Sequence, residues 1–334
     1  MNLTLAIPAL RFNANAEHSL TAAEVPYLQM LAGRGRRSLN SGSLYDYLAE
    51  HCGLEYEAEL PLAVAAAMCE ELPISEGFWL RADPIRLQAS THGVYCLGSE
   101  DLNLSRTEAE TLINSLNIFL AGDGIRFHLG ASNTAWYMQT AAPKDLQLAA
   151  LDSVIGKDLR NYLPQGQDAA LLEALLSEIQ MLLFPHAVNQ ARRDAGLPTV
   201  DGLWVYGNSA RIQSWSWPWQ HCYSNDLSIR GLAKLSGHHY SAVPASLAQV
   251  SHESGEVLVV YPALQDALQS GDWQAYLAAA SDLETAWLMP LWKALRSQRI
   301  KQVTLYLPGG QYKLKSLDLY RFWRRPASLD EVLC

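Results

Sequence analysis

No apolar run in this chain reaches the ~20 residues that span a bilayer, so no transmembrane helix is expected. Positive charge is scarce. Lys and Arg number 25 against 34 Asp and Glu, a net charge of −9. Phosphate backbones are gripped by concentrated cations, so this balance excludes a general nucleic-acid binder. Cysteine is sparse and odd in number: Cys52, Cys69, Cys96, Cys222 and Cys334, with no CxxC. These read as reduced thiols in a reducing compartment, and the protein as cytoplasmic. The opening MNLTLAIPALRF has neither a basic n-region nor a long apolar h-region. It reads as a buried strand rather than a signal peptide.

Catalytic patterns are missing as well. There is no GxGxxG and no GxxxxGK[ST], so a nucleotide-loop enzyme is not supported. None of the nine histidines lies in HxH, DH, DxH or HExxH. The one cluster, His238-His239, would point its rings to opposite faces of a strand. Gly207-Asn-Ser209-Ala-Arg211 follows a strand as a nucleophile elbow would, but it lacks the closing glycine and the helix. A tight turn is the simpler reading. No complete set of residues for metal-assisted or nucleophilic catalysis emerges.

What is present is enough apolar material for a large core: 49% of 334 residues. That exceeds the needs of one compact domain, and two are expected. Leu3–Ile7 reads as a buried strand stopped by Pro8. Thr21-Ala-Ala-Glu24 and Ser105-Arg-Thr-Glu108 are capping boxes, each opening a helix. Strands are expected at Phe78–Leu80, Ile85–Ala89 and Val94–Leu97, broken at Asp83-Pro84 and His92-Gly93. Asp168–Phe184 is the clearest helix, and Asp272–Ser297 a long one. Val257–Tyr261 and Val303–Leu307 read as buried strands. The strand–helix–strand order predicts an α/β protein. A core from 1–75 and 201–334 would carry an inserted α/β domain at 76–200.

Two polar clusters stand out. Trp79-Leu-Arg81-Ala-Asp83-Pro-Ile-Arg86 is the first, and Pro185-His186-Ala-Val-Asn189-Gln-Ala-Arg192-Arg193 the second. Guanidinium forks with an imidazole and an amide suit a phosphate or carboxylate. The competing reading pairs Asp83 with an arginine and has His186 cap a helix. Trp215, Trp217 and Trp219 alternate in an extended stretch, which makes either an exposed aromatic face or a closure over the core. Arg321-Phe-Trp-Arg-Arg325 joins cations to aromatics, either to meet an acidic partner or to cover its own rings.

The stretch 155–207 resembles the archaeal-type, cofactor-independent phosphoglycerate mutases of the alkaline-phosphatase superfamily. The matching residues are Ile155-Gly156, Leu163-Pro-Gln-Gly166, the helix Asp168–Phe184, His186 through Asn189, Arg192 or Arg193, and Leu203-Trp204 through Gly207. Nearly the whole chain is similar to a bacterial, regulatory-protein-type branch of mutase-like proteins. That similarity rests on Trp79 through Pro84, Glu178 through Leu182, His186 through Asn189, Gly271-Asp272-Trp273, Trp287 through Leu291 and Arg321 through Arg325. The resemblance implies an alkaline-phosphatase-like core sheet flanked by helices, with an inserted α/β domain of the mutase type. It also implies that Arg81, Asp83, Arg86, His186, Asn189 and Arg192 line a retained ligand site.

The departures bear on activity. Where active mutases end their first strand in Asp-Gly, this chain reads Leu-Ala-Ile-Pro8. Where they carry a D-x-x-x-H run, the segment 263–272 has no histidine, and Pro308-Gly309 stands where their Asp-His would fall. A phosphoryl group in transfer needs cations to offset its charge. The expectation is therefore a phosphoglycerate-mutase-like pseudoenzyme with a regulatory role and neither metal nor cofactor. Its bound species would be a small phosphorylated or carboxylate metabolite or a partner protein, and neither nucleic acid nor membrane. The alternative is an active metal-dependent mutase or phosphatase with an altered site built on Asp266, Asp272 and His238-His239.

Overall fold

A computed structural model describes residues 1–10, 20–21, 23–39, 43–54, 60–74, 77–91, 93–141, 145–207, 216–250, 252–269, 271–321, 323–329 and 332. The strands are β1 (Asn2–Ala6), β2 (Arg36–Ser38), β3 (Phe78–Ser90), β4 (Gly93–Gly98), β5 (Ile125–Leu129), β6 (Trp136–Thr140), β7 (Gly202–Tyr206), β8 (His221–Tyr223), β9 (His239–Ser241), β10 (Glu256–Val260), β11 (Gln302–Leu307) and β12 (Gly310–Lys315). The helices are α1 (Pro26–Arg34), α2 (Leu44–His51), α3 (Leu62–Cys69), α4 (Arg106–Phe119), α5 (Leu151–Val154), α6 (Ala169–Leu183), α7 (Ala187–Asp194), α8 (Leu227–Leu235), α9 (Ala263–Gln269), α10 (Trp273–Asp282) and α11 (Met289–Arg296). No single helix among the described residues is long and apolar enough to cross a membrane.

The chain divides into two compact units. One is Met1–Glu55 with Ser216–Cys334, the other Tyr56–Trp215. The first holds a seven-stranded sheet in the order β2-β12-β11-β1-β10-β8-β9. Strands β11, β1, β10, β8 and β9 run parallel, and the hairpin β11–β12 and edge strand β2 are antiparallel. β1, β10 and β11 are buried on both faces from their second residue onward, largely apolar with Thr4 and Thr304 among them. The α/β class expected from sequence, a core sheet flanked by helices, is what the structure has. Trp217 and Trp219 close over this core, with rings 5.0 Å apart, and the Trp219 indole N–H donates to Thr4 Oγ1 at 3.2 Å. Trp215 lies outside the described residues, as do Asn208 through Arg211 of the candidate elbow.

Helix α10 runs into α11 through a π-helical segment, Leu283–Leu288. Pro290, with no amide hydrogen and a ring that crowds the carbonyl four residues back, sits just past the wider turn. The segment aims Glu284, 5% exposed, at the start of α1. Thr21 and Glu24 do bond each other, but as a turn, and α1 begins two residues beyond at Pro26. Its N-cap residue Val25 offers no side-chain oxygen. Glu284 takes that role, accepting from the Tyr27 and Leu28 amides at 3.0 and 2.9 Å. A negative group at a helix N-terminus also meets the positive end of the dipole.

The second unit holds a sheet of order β4-β3-β6-β5, with β7 also paired to β3. It is wider at both ends than the 76–200 read from sequence: α3 packs on β3, and β7 completes the β3 ladder. The expected break at Asp83-Pro84 does not occur. β3 runs unbroken for 13 residues. It pairs with β6 through residues 78–81, with β4 through 86–90 and with β7 through 81–85. Pro84 therefore falls where one edge of β3 passes from β6 to β4, and no ladder on that edge asks for its missing amide. A Glu284→Ala substitution strips α1 of its cap. It is expected to cost about 1–2 kcal/mol by urea denaturation. Faster hydrogen exchange at Tyr27 and Leu28 would accompany the loss.

Candidate functional site

In an open parallel sheet, ligands gather beyond the carboxyl ends of the strands. In the first unit those ends are Ile7-Pro8 after β1, Tyr261-Pro262 after β10 and Pro308-Gly309 after β11. Ile7 is fully buried and its amide donates to Tyr306 O. The Tyr261 amide donates to Ala6 O, and its hydroxyl reaches Ala279 O at 2.9 Å and Asp282 at 3.1 Å. After β8, Asp226 is committed twice. It caps α8 through the Ser228 and Ile229 amides and accepts from the Tyr45 hydroxyl.

The mutase resemblance implies divalent ions at this end, and the described residues do not fit them. Such ions are held by several carboxylates and imidazoles at once. Among the described residues no group of three or more His, Cys, Asp or Glu side chains is placed to hold a metal ion. Asp266 and Asp272 do follow β10, Asp272 as the N-cap of α10 with its oxygen 3.0 Å from the Ala275 amide. His239, by contrast, opens β9 and so lies at the amino end of the parallel strands. There it faces His221, whose Nε2 is 3.2 Å from Glu253. The structure does not bring the Asp266, Asp272 and His238-His239 set together.

The six residues singled out in the second unit fall into two groups and one outlier. Arg81 and Asp83 form the first. They sit two apart on β3, so their side chains share a face. The guanidinium grips the carboxylate through Nε at 3.1 Å and Nη2 at 2.7 and 2.8 Å, while Nη1 donates to the Tyr137 hydroxyl at 3.1 Å. The Tyr206 hydroxyl and the Trp136 amide complete the Asp83 shell at 2.7 and 3.2 Å. Burial pushes the Asp83 carboxyl upward, and Arg81, Tyr206 and the Trp136 amide pull it back. The pair is a satisfied buried ion pair that carries the strand past Pro84.

The second group joins α4, α6 and α7. His186 is the N-cap of α7: Nδ1 accepts from the Val188 amide at 3.2 Å, and Nε2 lies 3.0 Å from Ser115 Oγ. A nitrogen that accepts must be unprotonated, so this network assigns the Nε2–H tautomer. Burial lowers the imidazole in the same direction. Asn189, 1% exposed, spends its amide on Leu183 O at 2.7 Å, Val200 O at 2.8 Å and the Val200 amide at 2.9 Å. Arg192 donates to Pro198 O at 2.6 Å, to Glu108 at 2.8 Å and to Leu102 O. Arg86 is the outlier. It is 39% exposed and loosely paired with Asp101 at 3.6 Å.

One group that sequence reading missed joins the first cluster. Glu70, just past α3, places its carboxylate against Gly130, where a Cβ would meet Oε2 at 1.9 Å. Both oxygens are buried without a well-formed hydrogen bond. Burial raises its carboxyl, while Tyr137, Arg81 and the Ala131 amide act the other way. Nothing in the spacing of Glu70 and Glu71 marks it, because Gly130 and Tyr137 arrive from a distant segment.

Two outcomes follow. A folded state that raises the Glu70 carboxyl gains most below the ordinary carboxyl range of about pH 4. That gain is lost as pH rises. Glu70→Gln should therefore show a growing stability advantage over the parent between pH 4.5 and 7.5 in urea titrations, and little at the acid end. Asn189→Ala leaves three buried backbone groups unmet and should cost about 2–4 kcal/mol with no ligand present, read by the same titrations.

No protein-family model matches the chain. It is similar to the 2,3-bisphosphoglycerate-independent phosphoglycerate mutase of Methanosarcina mazei, with 26% identity over 56% of this chain and 49% of that protein. The probable mutase of the same kind from Geobacter sulfurreducens is 24% identical over 57% of this chain and 50% of its own. The chain thus spans about half the length of the curated relatives it matches. Among solved structures, the PH0037 protein from Pyrococcus horikoshii shares the fold at TM-score 0.51 and 14% identity, covering 94% of this chain and 87% of that one. The cofactor-independent phosphoglycerate mutase from Thermoplasma acidophilum aligns at TM-score 0.47 and 13% identity, covering 99% and 94%. The chain is thus distantly similar in sequence to 2,3-bisphosphoglycerate-independent phosphoglycerate mutases over a little more than half its length, and it shares its α/β fold with the PH0037 protein.

Proposed function

We propose that this chain is a phosphoglycerate-mutase-like pseudoenzyme, a binding protein with a regulatory role rather than a catalyst of phosphoryl transfer. One observation carries the reading. The carboxyl ends of β1, β10 and β11 are Ile7-Pro8, Tyr261-Pro262 and Pro308-Gly309, not acids or imidazoles. Phosphoryl transfer is catalysed almost wholly by positioning and by cations that offset developing charge. These three strand ends supply no cation ligand, and Asp226 after β8 is already spent on the α8 amides and the Tyr45 hydroxyl. Homology to mutases does not carry activity with it, since function resides in the site and not in the fold.

The candidate ligand residues favour contact with a partner over capture of a small phosphorylated acid. Arg81 and Arg192 are committed to internal acceptors, and Asn189 is fully spent. Arg86 alone of the six combines exposure above a third with a loose ion pair. An anion would have to break buried pairs to reach the others, and breaking such a pair costs more than an exposed contact returns.

Purified protein supplied with manganese should convert no 3-phosphoglycerate to 2-phosphoglycerate above the buffer rate. It should also retain no stoichiometric transition metal by mass spectrometry. Robust turnover that a chelator abolishes would establish the active alternative instead.

A further inference from the structure

Positive charge is gathered where an acidic chain would not be expected to gather it. β2 is the terminal strand of the seven-stranded sheet, and Arg36, Arg37 and Ser38 are all exposed. In register, Arg36 faces Lys313 of β12 and Arg37 faces Tyr312. The Arg37 guanidinium lies 6.0 Å from the Tyr312 ring and donates to Gly309 O at 3.1 Å. The segment after residue 320 is drawn alongside. Arg324 donates to Gly35 O at 3.1 Å, and the Ala327 amide to Gln29 O at 3.0 Å. Gly33 permits this approach, since a Cβ there would stand 2.4 Å from Arg325 O. Arg34, the next residue, lies 4.5 Å over Trp292.

Arg34, Arg36, Arg37, Lys313, Arg324 and Arg325 thus come from three separate stretches to one edge. Among the described residues none of these six has an ion-pair partner, whereas neighbouring Arg321 has Asp318 at 2.8 Å. A cation or two on an edge strand is a common guard against strand-to-strand aggregation. That guard does not call for further arginines from a distant segment. Nor does it call for the exposed apolar residues that adjoin them in sequence. Leu39, Leu317, Tyr320 and Trp323 are 76%, 76%, 66% and 68% exposed. Arginine, tryptophan and tyrosine around apolar surface is the composition of protein interfaces.

We propose that the β2 edge, with Arg324, Arg325 and Trp323, is a docking surface for an acidic, extended segment of a partner protein. Charge complementarity selects the occupant: the patch is cationic while the chain's net charge of −9 repels long polyanions at distance. The proposal stands whether or not the chain catalyses.

The test is fluorescence anisotropy with a labelled peptide of alternating glutamate and valine, against the same peptide with lysine for glutamate. The acidic peptide should bind, the basic one should not, and binding should weaken as salt is raised. The double variant Arg36→Glu/Arg324→Glu should lose at least about tenfold in affinity, equivalent to about 1.4 kcal/mol. Trp323→Ala should weaken binding as well. Arg126→Glu, an exposed reversal on β5 in the other unit, should change nothing. Equal urea midpoints for the variants keep misfolding apart from lost binding. No binding of the acidic peptide, or binding indifferent to the double reversal, overturns the proposal. So does a single-stranded oligonucleotide or phosphatidylglycerol vesicle that binds as tightly with the same dependence on Arg36 and Arg324. Self-association abolished by Arg36→Glu in sedimentation would assign the surface to a second copy, and overturn it too.

Discussion

A carboxylate removed from water must be met by donors, and much of this structure is arranged around that requirement. Asp83 is met by a guanidinium, a phenol and an amide. Glu284 is met by the two amides that open α1. In each case the acid joins elements that local hydrogen bonding would leave separate. Asp83 ties β3 to β6 and β7, and Glu284 ties the π-helical segment to a helix more than 250 residues away in sequence. Glu70 is the exception. Its carboxylate is buried against Gly130 without a full complement of donors, so proton uptake relieves its burial.

The same requirement bears on the carboxyl end of the core sheet, where Asp226 is met by two amides and the Tyr45 hydroxyl. The neighbouring strand ends carry Ile7, Tyr261 and the prolines, and they bond each other through backbone pairs such as Tyr261 to Ala6. Distant similarity to the mutases therefore does not by itself decide the chemistry of this sheet end. What is shared with the PH0037 protein is the α/β fold, and function resides in the site rather than in the fold.

Periodicity reached most of the regular structure. The capping box at Ser105 and Glu108 forms as read, and α6 begins and ends within one residue of its expected limits. The strand ends Ala6 and Leu307 were legible from the hydrophobic runs that precede them. Legibility failed where a partner from elsewhere overrode a local signal. Asp83-Pro84 reads as a breaker, but Arg81 and Tyr206 hold it extended. Thr21 through Glu24 reads as a helix start, but the cap came from Glu284. The three-residue strands β2, β8 and β9 are too short to show a period, and only their neighbours in the sheet define them.

The candidate site divides in the same way. The residue types of the two polar clusters were visible in one dimension, as was the competing reading in which Asp83 pairs with an arginine and His186 caps a helix. Only the folded chain could choose, because a guanidinium facing a ligand and one facing Glu108 have the same sequence neighbours. By itself the sequence determined the α/β class, the buried apolar strands and the absence of acids at Pro8 and Pro308, since these follow from local composition and periodicity. The tertiary structure decided which polar side chains are already spent, because hydrogen-bond partners are set by proximity in space, and proximity is not written in the order of residues.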